Sequence, residues 1–194
     1  MPAARVQTFS RLAAQILQLP APAVIAIDGR SAAGKSTFAA RLTQALECQC
    51  IHTDDVAWNH SFFDWWPLLI QHVLQPFKVG QAVHWTPDAW LTHNRSGAIS
   101  LQPAPVLIVE GVSSMRRELS EWIDYSVWIE TEAHLAEKRG LERDGPDGRD
   151  FWFEWQSHED PFLERDQPWT RASLIVDGAP SIAHDADTQF VALR

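Results

Sequence analysis

Apolar side chains recur at Val6, Phe9, Leu12, Ala13, Ile16 and Leu17, a spacing that predicts an amphipathic helix ended by Pro20 and Pro22. Residues 24–27 then form a short run with no polar member. Such runs suit a strand covered on both faces, as in parallel sheets. After a glycine-rich turn, a helix is expected from about Lys35 to Glu47, and residues 50–53 read as a second strand ending in Asp54 and Asp55. Asp64 can cap a helix carrying Leu68, Leu69, Val73 and Phe77, bent by Pro76. Residues 80–105 show no clear period and read mostly as loop. Two more buried-type strands are expected at 106–109, before Glu110 and Gly111, and at 126–129. A helix follows from about 132 to 143, then a turn-rich loop at 144–150, a tryptophan-rich helix at 151–164 and a fifth strand at 174–176.

Strands alternate with helices along this whole pattern. The order predicts an α/β fold, a three-layer sandwich around a mostly parallel five-stranded sheet with right-handed crossovers. A length of 194 residues suits one such domain, 1–194. Ligands of such sheets bind beyond the carboxyl ends of the strands. Asp28, Asp54, Asp55 and Glu110 all stand at those ends.

The formal net charge of −9 argues against nucleic acid as a partner, because a phosphate backbone calls for a basic footprint. No apolar run reaches the ~20 residues that span a bilayer, and no signal peptide opens the chain, so a cytoplasmic protein with no membrane partner is expected. Cys48 and Cys50 make neither a disulfide framework nor a four-ligand zinc site. The ten tryptophans either fill the core or line an aromatic pocket. Oligomeric state is left open.

The sharpest signal is the run Gly29, Arg30, Ser31, Ala32, Ala33, Gly34, Lys35, Ser36, Thr37, which fits G-x-x-x-x-G-K-[ST] between a buried strand and a helix. Glycines there let successive backbone N–H groups wrap an anion, and the helix aims its positive end at the same charge. Lys35 supplies a mobile ammonium for the β- and γ-phosphates, and Ser36 a hydroxyl for Mg²⁺. The run is therefore assigned to ATP, with Arg30 at its periphery.

Phosphoryl transfer to a hydroxyl also needs a group that orients or deprotonates the nucleophile. Asp54 or Asp55 can take that proton or hold the metal through water; a turn or cap role is the plain alternative. Glu110 closes an apolar run where an unpaired carboxylate is costly to bury, so either Mg²⁺ or an arginine should pair it. Arg139 and Arg143 share a helix face and, with Arg149, surround the loop 144–150. They can close over the transferring phosphate, or form a solvated face with Glu137 and Glu142. The eight histidines show no metal spacing; His52, His84 and His93 are acceptor-pocket candidates or ordinary surface residues.

Residues 24–37, His52 to Asp55, Val109 to Gly111, the Arg139, Arg143, Asp144 spacing and Leu174 to Gly178 together resemble the uridine kinase family of P-loop kinases. The resemblance covers most of residues 24–178. It implies a P-loop fold like that of nucleoside monophosphate kinases, with a lid near 140–152, ATP with Mg²⁺, and a small-molecule acceptor, most simply a nucleoside such as uridine. It implies Asp54 as general base, Ser36, Glu110 and Asp54 near Mg²⁺, and Arg139, Arg143 and Arg149 serving phosphates or acceptor. The sequence departs from the family at Val56-Ala57-Trp58, where uridine-phosphorylating members carry Phe-Tyr, and the stretch His84 to Trp90 matches the nucleoside-contacting segment only loosely. Asp55, His84, Asp88 and Arg149 are the acceptor candidates. The alternatives are a sugar or pantothenate-like acceptor and a non-catalytic ATP-binding protein. A GTPase switch is disfavoured because neither Asn59 nor Asn94 is followed by lysine, as a guanine signature requires.

Overall fold

Residues 4–193 are described in a computed structural model of the chain. The first elements are β1 (Arg5–Thr8), α1 (Phe9–Ile16), β2 (Ala23–Gly29), α2 (Lys35–Leu46), β3 (Gln49–His52) and α3 (Thr53–Ala57). Next come α4 (Trp66–Leu69), a π turn (Ile70–Leu74), α5 (Gln75–Lys78), β4 (Val83–Trp85), α6 (Asp88–Thr92) and β5 (Ile99–Leu101). The rest are β6 (Val106–Glu110), β7 (Tyr125–Glu130), α7 (Ala133–Asp144), α8 (Arg149–Asp166), β8 (Leu174–Asp177) and β9 (Gln189–Ala192).

The main sheet runs β1-β9-β8-β7-β2-β6-β3. Its parallel part, β8-β7-β2-β6-β3, consists of the five strands expected from the apolar runs. β9 adds to β8 antiparallel, and β1 adds to β9. The helical spacing that begins at Val6 thus holds only from Phe9 onward. Val6 sits in a strand because its partner, Val191, lies at the far end of the chain, and the Thr8 hydroxyl starts the helix by accepting the Arg11 N–H.

Side chains of β2 alternate between the two faces of the sheet. Ile25 and Ile27 pack with α1 and α2 through Leu12, Ile16, Phe38 and Leu42. Val24 packs on the opposite side with Leu69, Val73 and Phe77, and Ala26 with Phe162 and Leu163 of α8. Burying each of these isoleucines contributes roughly 2–3 kcal/mol. The result is the three-layer arrangement, with β2 at the centre. Among the described residues, no helix is long and apolar enough to cross a membrane.

Residues 80–105, expected as loop, hold α6 and a two-stranded antiparallel ladder of β4 with β5. Three-residue strands are too short to show alternation, though Val83, Ile99 and Leu101 are buried while His84 and Ser100 face out. The bend expected at Pro76 takes the form of the π turn ahead of it, where the Gln75 N–H reaches the Ile70 carbonyl. That wider turn makes room for a ring that would otherwise clash one turn back.

The region expected as a lid is a helical hairpin. α7 ends at Asp144, a 3-10 turn covers Pro146–Gly148, and α8 starts at Arg149. Gly140 lets the two helices close: a Cβ there would stand 2.0 Å from the Trp152 ring. Gly140→Ala should therefore cost about 1–3 kcal/mol through overpacking. A lowered melting temperature checks this, and an unchanged one would mean that the hairpin opens freely.

Candidate functional site

β2 is buried along its whole length and delivers residues 29–37 to the carboxyl edge of the sheet, where α2 begins. Gly34 caps α2 at φ 104°, in the left-handed region, and open space surrounds it, so conformation and not crowding calls for glycine. Ala32 also takes a left-handed φ of 59°, uncommon for a residue with a Cβ.

The amides of this loop divide cleanly. The Ser31 N–H donates to Glu159 Oε1 at 2.8 Å, and the Ala33 N–H to the Arg30 carbonyl at 3.0 Å. Among the described residues, those of Ala32, Gly34, Lys35, Ser36 and Thr37 have no protein partner. The same five residues line a cavity of about 1280 Å³. The Lys35 ammonium donates to the Arg30 carbonyl at 2.8 Å. Unpaired amides, a helix N-terminus and one ammonium make an anion site, and the donor set fits a polyphosphate.

The loop is tied from behind. Thr131 at the end of β7 donates its hydroxyl to the Ala33 carbonyl at 2.9 Å. Asp28, fully buried, accepts the N–H groups of Gly29, Ser113 and Met115 at 2.7, 3.0 and 2.9 Å. It joins β2 to the segment that follows β6. Burial pushes the Asp28 carboxyl up to about 7, against the opposing pull of those amides and of Lys35.

Glu110 and Ser36 are brought together: the Ser36 hydroxyl donates to Glu110 Oε1 at 3.1 Å. On the other oxygen stands His52 Nδ1 at 2.5 Å. Burial alone would raise the Glu110 carboxyl, but His52, the charge of Lys35 and the Ser36 hydroxyl together bring it below the ordinary value. The carboxylate is therefore ionised and His52 donates, and that bond raises the histidine pKa. A hydroxyl beside an ionised carboxylate fits Mg²⁺, a cation that takes few protein ligands and keeps water and phosphate for the rest. Among the described residues, no cluster of three or more acidic, His or Cys side chains suits a metal.

Asp54, in the first turn of α3, opens into the same cavity. The surrounding protein thins its solvent and raises its pKa, with Lys35 opposing. Asp55 turns away. It pairs with Arg95 at 2.5 Å, and Arg95 lies over the Trp90 ring at 3.6 Å and the Trp58 ring at 5.2 Å. Arg139 donates to the Gly178 carbonyl at 3.0 Å, and Arg143 grips Asp144 through two bonds, 2.6 and 2.9 Å. Both arginines line the cavity.

The remaining candidates lie elsewhere. Gly29 and Ala33 belong to the loop but do not line the cavity, and neither does Arg30, which pairs with Asp160 at 2.5 Å. His84 is exposed on β4 beside Ser100, and Arg149 is exposed over the Phe153 ring. Asp88 borders a separate cavity of about 210 Å³. The tryptophans divide between the two expected uses: Trp65, Trp90 and Trp128 are core, whereas Trp58 and Trp155 border the main cavity. Glu159 and the indole N–H of Trp155, 2.6 Å from the Ser31 hydroxyl, escaped the sequence reading. Their spacing of four on one helix was visible, but nothing local tied them to a loop so far back in the chain.

No protein-family model matches the chain, and no curated protein matches its sequence. Solved structures do match. One, titled a possible uridine kinase from Bacillus stearothermophilus, superposes with a TM-score of 0.57 at 19% identity, covering 86% of this chain and 96% of that one. Another, a putative fructose transport system kinase from Silicibacter sp. TM1040, superposes with a TM-score of 0.56 at 18% identity, over 86% and 95%. The chain shares the fold of these two structures.

The raised pKa of Asp28 has a signed consequence. Between about pH 4 and 7 the native state keeps a proton that the unfolded chain has released, so stability falls as pH rises through that window and is level above it. Relative to Asp28→Asn, the parent protein should lose roughly 2–3 kcal/mol between pH 5 and 7. Urea unfolding at each pH measures it; parallel stability curves would mean an Asp28 that is ionised throughout.

Proposed function

We propose that this chain is an ATP-dependent kinase, a single domain that transfers the γ-phosphoryl group to a hydroxyl of a small metabolite, with a nucleoside as acceptor class. The observation that carries the reading is a single cavity. It presents five unpartnered amides and Lys35, and Asp54 opens into it beside aromatic rings. The fold likeness to structures titled for uridine and for fructose supports phosphoryl transfer to an alcohol.

In this reading the loop 29–37 grips the triphosphate and Lys35 follows the transferring group. Ser36 and Glu110 hold Mg²⁺, which supplies positive charge to the phosphate oxygens when bound. Asp54, a stronger base than an ordinary aspartate because burial raises it, accepts the acceptor's hydroxyl proton. The hydroxyl oxygen bonds to the γ-phosphorus, the bond to the β,γ-bridging oxygen breaks, and ADP leaves. Arg139 and Arg143 add charge from α7, and the hairpin at 140–152 acts as a lid that excludes water.

The walls of the acceptor end favour a flat, uncharged group. Trp58, Phe62, Phe151 and Trp155 line the cavity, and Arg95, outside its lining, is engaged by Asp55 and two indoles. A nucleobase finds aromatic surfaces in such a pocket.

Supplied with MgATP and a panel of nucleosides and sugars, the protein should release ADP fastest with a nucleoside. Tight ATP binding with no turnover on any acceptor would refute the kinase. Lys35→Ala should lower kcat by about a hundredfold or more through lost transition-state charge stabilisation. Asp54→Asn should do likewise with ATP affinity intact, the range expected for removing a general base. Because the base works ionised, kcat/KM should fall as pH drops through the raised Asp54 pKa. A flat acid limb in the parent protein removes Asp54 from proton transfer.

A further inference from the structure

One peptide group, Arg30–Ser31, is held at both ends. Its carbonyl accepts the Lys35 ammonium at 2.8 Å and the Ala33 N–H at 3.0 Å, and its N–H donates to Glu159 Oε1 at 2.8 Å. Glu159 is 1% exposed, in the middle of α8, and this amide is its hydrogen-bond partner. Among the described residues no arginine or lysine pairs with it, and a carboxylate buried in that way is costly. Two neighbours on α8 hold the same two residues: Trp155 donates to the Ser31 hydroxyl at 2.6 Å, and Asp160 pairs with Arg30 at 2.5 Å. Residues 155 and 159 are one helical turn apart and share a face.

A peptide group is planar, so fixing its N–H fixes its carbonyl. We propose that Glu159 is a positioning residue for phosphoryl transfer: by holding the Ser31 N–H it sets the plane of the Arg30–Ser31 peptide, and so the point from which Lys35 works. The inference rests on the kinase reading above. Ser31 is not among the five residues whose amides are unpartnered, so Glu159 takes nothing from the phosphate site. It acts through the loop's outer side, from α8, the second helix of the hairpin. Trp155 extends the same link toward the acceptor end, because its ring stacks on Phe63 at 5.4 Å and meets Phe62 edge-on at 5.2 Å.

Two replacements separate the hydrogen bond from the bulk and the charge. Glu159→Met keeps length and helix propensity but cannot accept the amide; Glu159→Gln keeps the acceptor and drops the charge. Steady-state ADP formation is read with MgATP and the nucleoside that turns over fastest, or as slow MgATP hydrolysis if none does. Affinity for MgATP is read by calorimetry. A misplaced Lys35 weakens the transition state more than the ground state. The Met variant should therefore lose about tenfold or more in kcat while its MgATP affinity stays within about threefold, and the Gln variant should stay near the parent in both. A role confined to stability would lower the folded fraction without separating kcat from binding. If Glu159→Met does not fold, Trp155→Phe, which removes the indole N–H together with part of the ring, should show the same kcat loss on a smaller scale with MgATP affinity unchanged.

A Met or Phe variant with parental kcat overturns the proposal, as does a Gln variant as impaired as the Met one. A parent protein that binds no MgATP removes the kinase reading itself, which is a different outcome from an active parent indifferent to residue 159.

Discussion

Five backbone N–H groups that find no protein partner among the described residues are the feature on which the site depends. Four of the five residues are exposed or half-buried, so water can reach these donors, as at any helix N-terminus. The loop that carries them is held in place from several sides. Asp28 ties its root to the segment after β6, Thr131 holds the Ala33 carbonyl from β7, and α8 holds Arg30 and Ser31 from outside. The loop is braced on every side but the one facing the cavity. Binding an anion there satisfies donors already in position, so little ordering entropy opposes it.

The same edge of the sheet concentrates opposite charges. Lys35 stands close enough to Asp28, Asp54 and Glu110 to lower all three, while burial raises them. The balance differs at each carboxylate. Asp28 has no side-chain cation bonded to it and is raised furthest, Asp54 is raised, and Glu110 is brought down by His52. Three acids within one site thus end with three different proton affinities, set by which partner the fold gives each.

What the sequence disclosed follows from where the physics is local. The parallel strands were legible because strands covered on both faces carry unbroken apolar runs, as at residues 24–27 and 106–109. The loop 29–37 was legible because its conformation demands particular residues at fixed spacing within one turn. β1 and β9 were not, because four-residue strands say little until each has found a partner across nearly the whole chain. The proposed acceptor end was hidden for the same reason. Asp54 and Asp55 are adjacent and alike in sequence; only Arg95, brought over by α6, separates the one that faces the cavity from the one that does not. His84 and Asp88 stood in a stretch that only loosely fitted its pattern, and the fold puts both outside the main cavity.

The pairing of β1 with β9 also bears on how the molecule is made. Phe190 of β9 sits against Phe9 and Phe38 with ring centres 5.2 and 5.3 Å apart, and Phe38 belongs to the helix that starts from Lys35. That helix lacks one of its aromatic supports until residues 189–192 leave the ribosome, and β1 waits unpaired for just as long. Closing so large a loop adds little free energy but much delay. The helix behind the anion site should thus gain its full aromatic support only once residues 189–192 have emerged, with an exposed strand edge left until then.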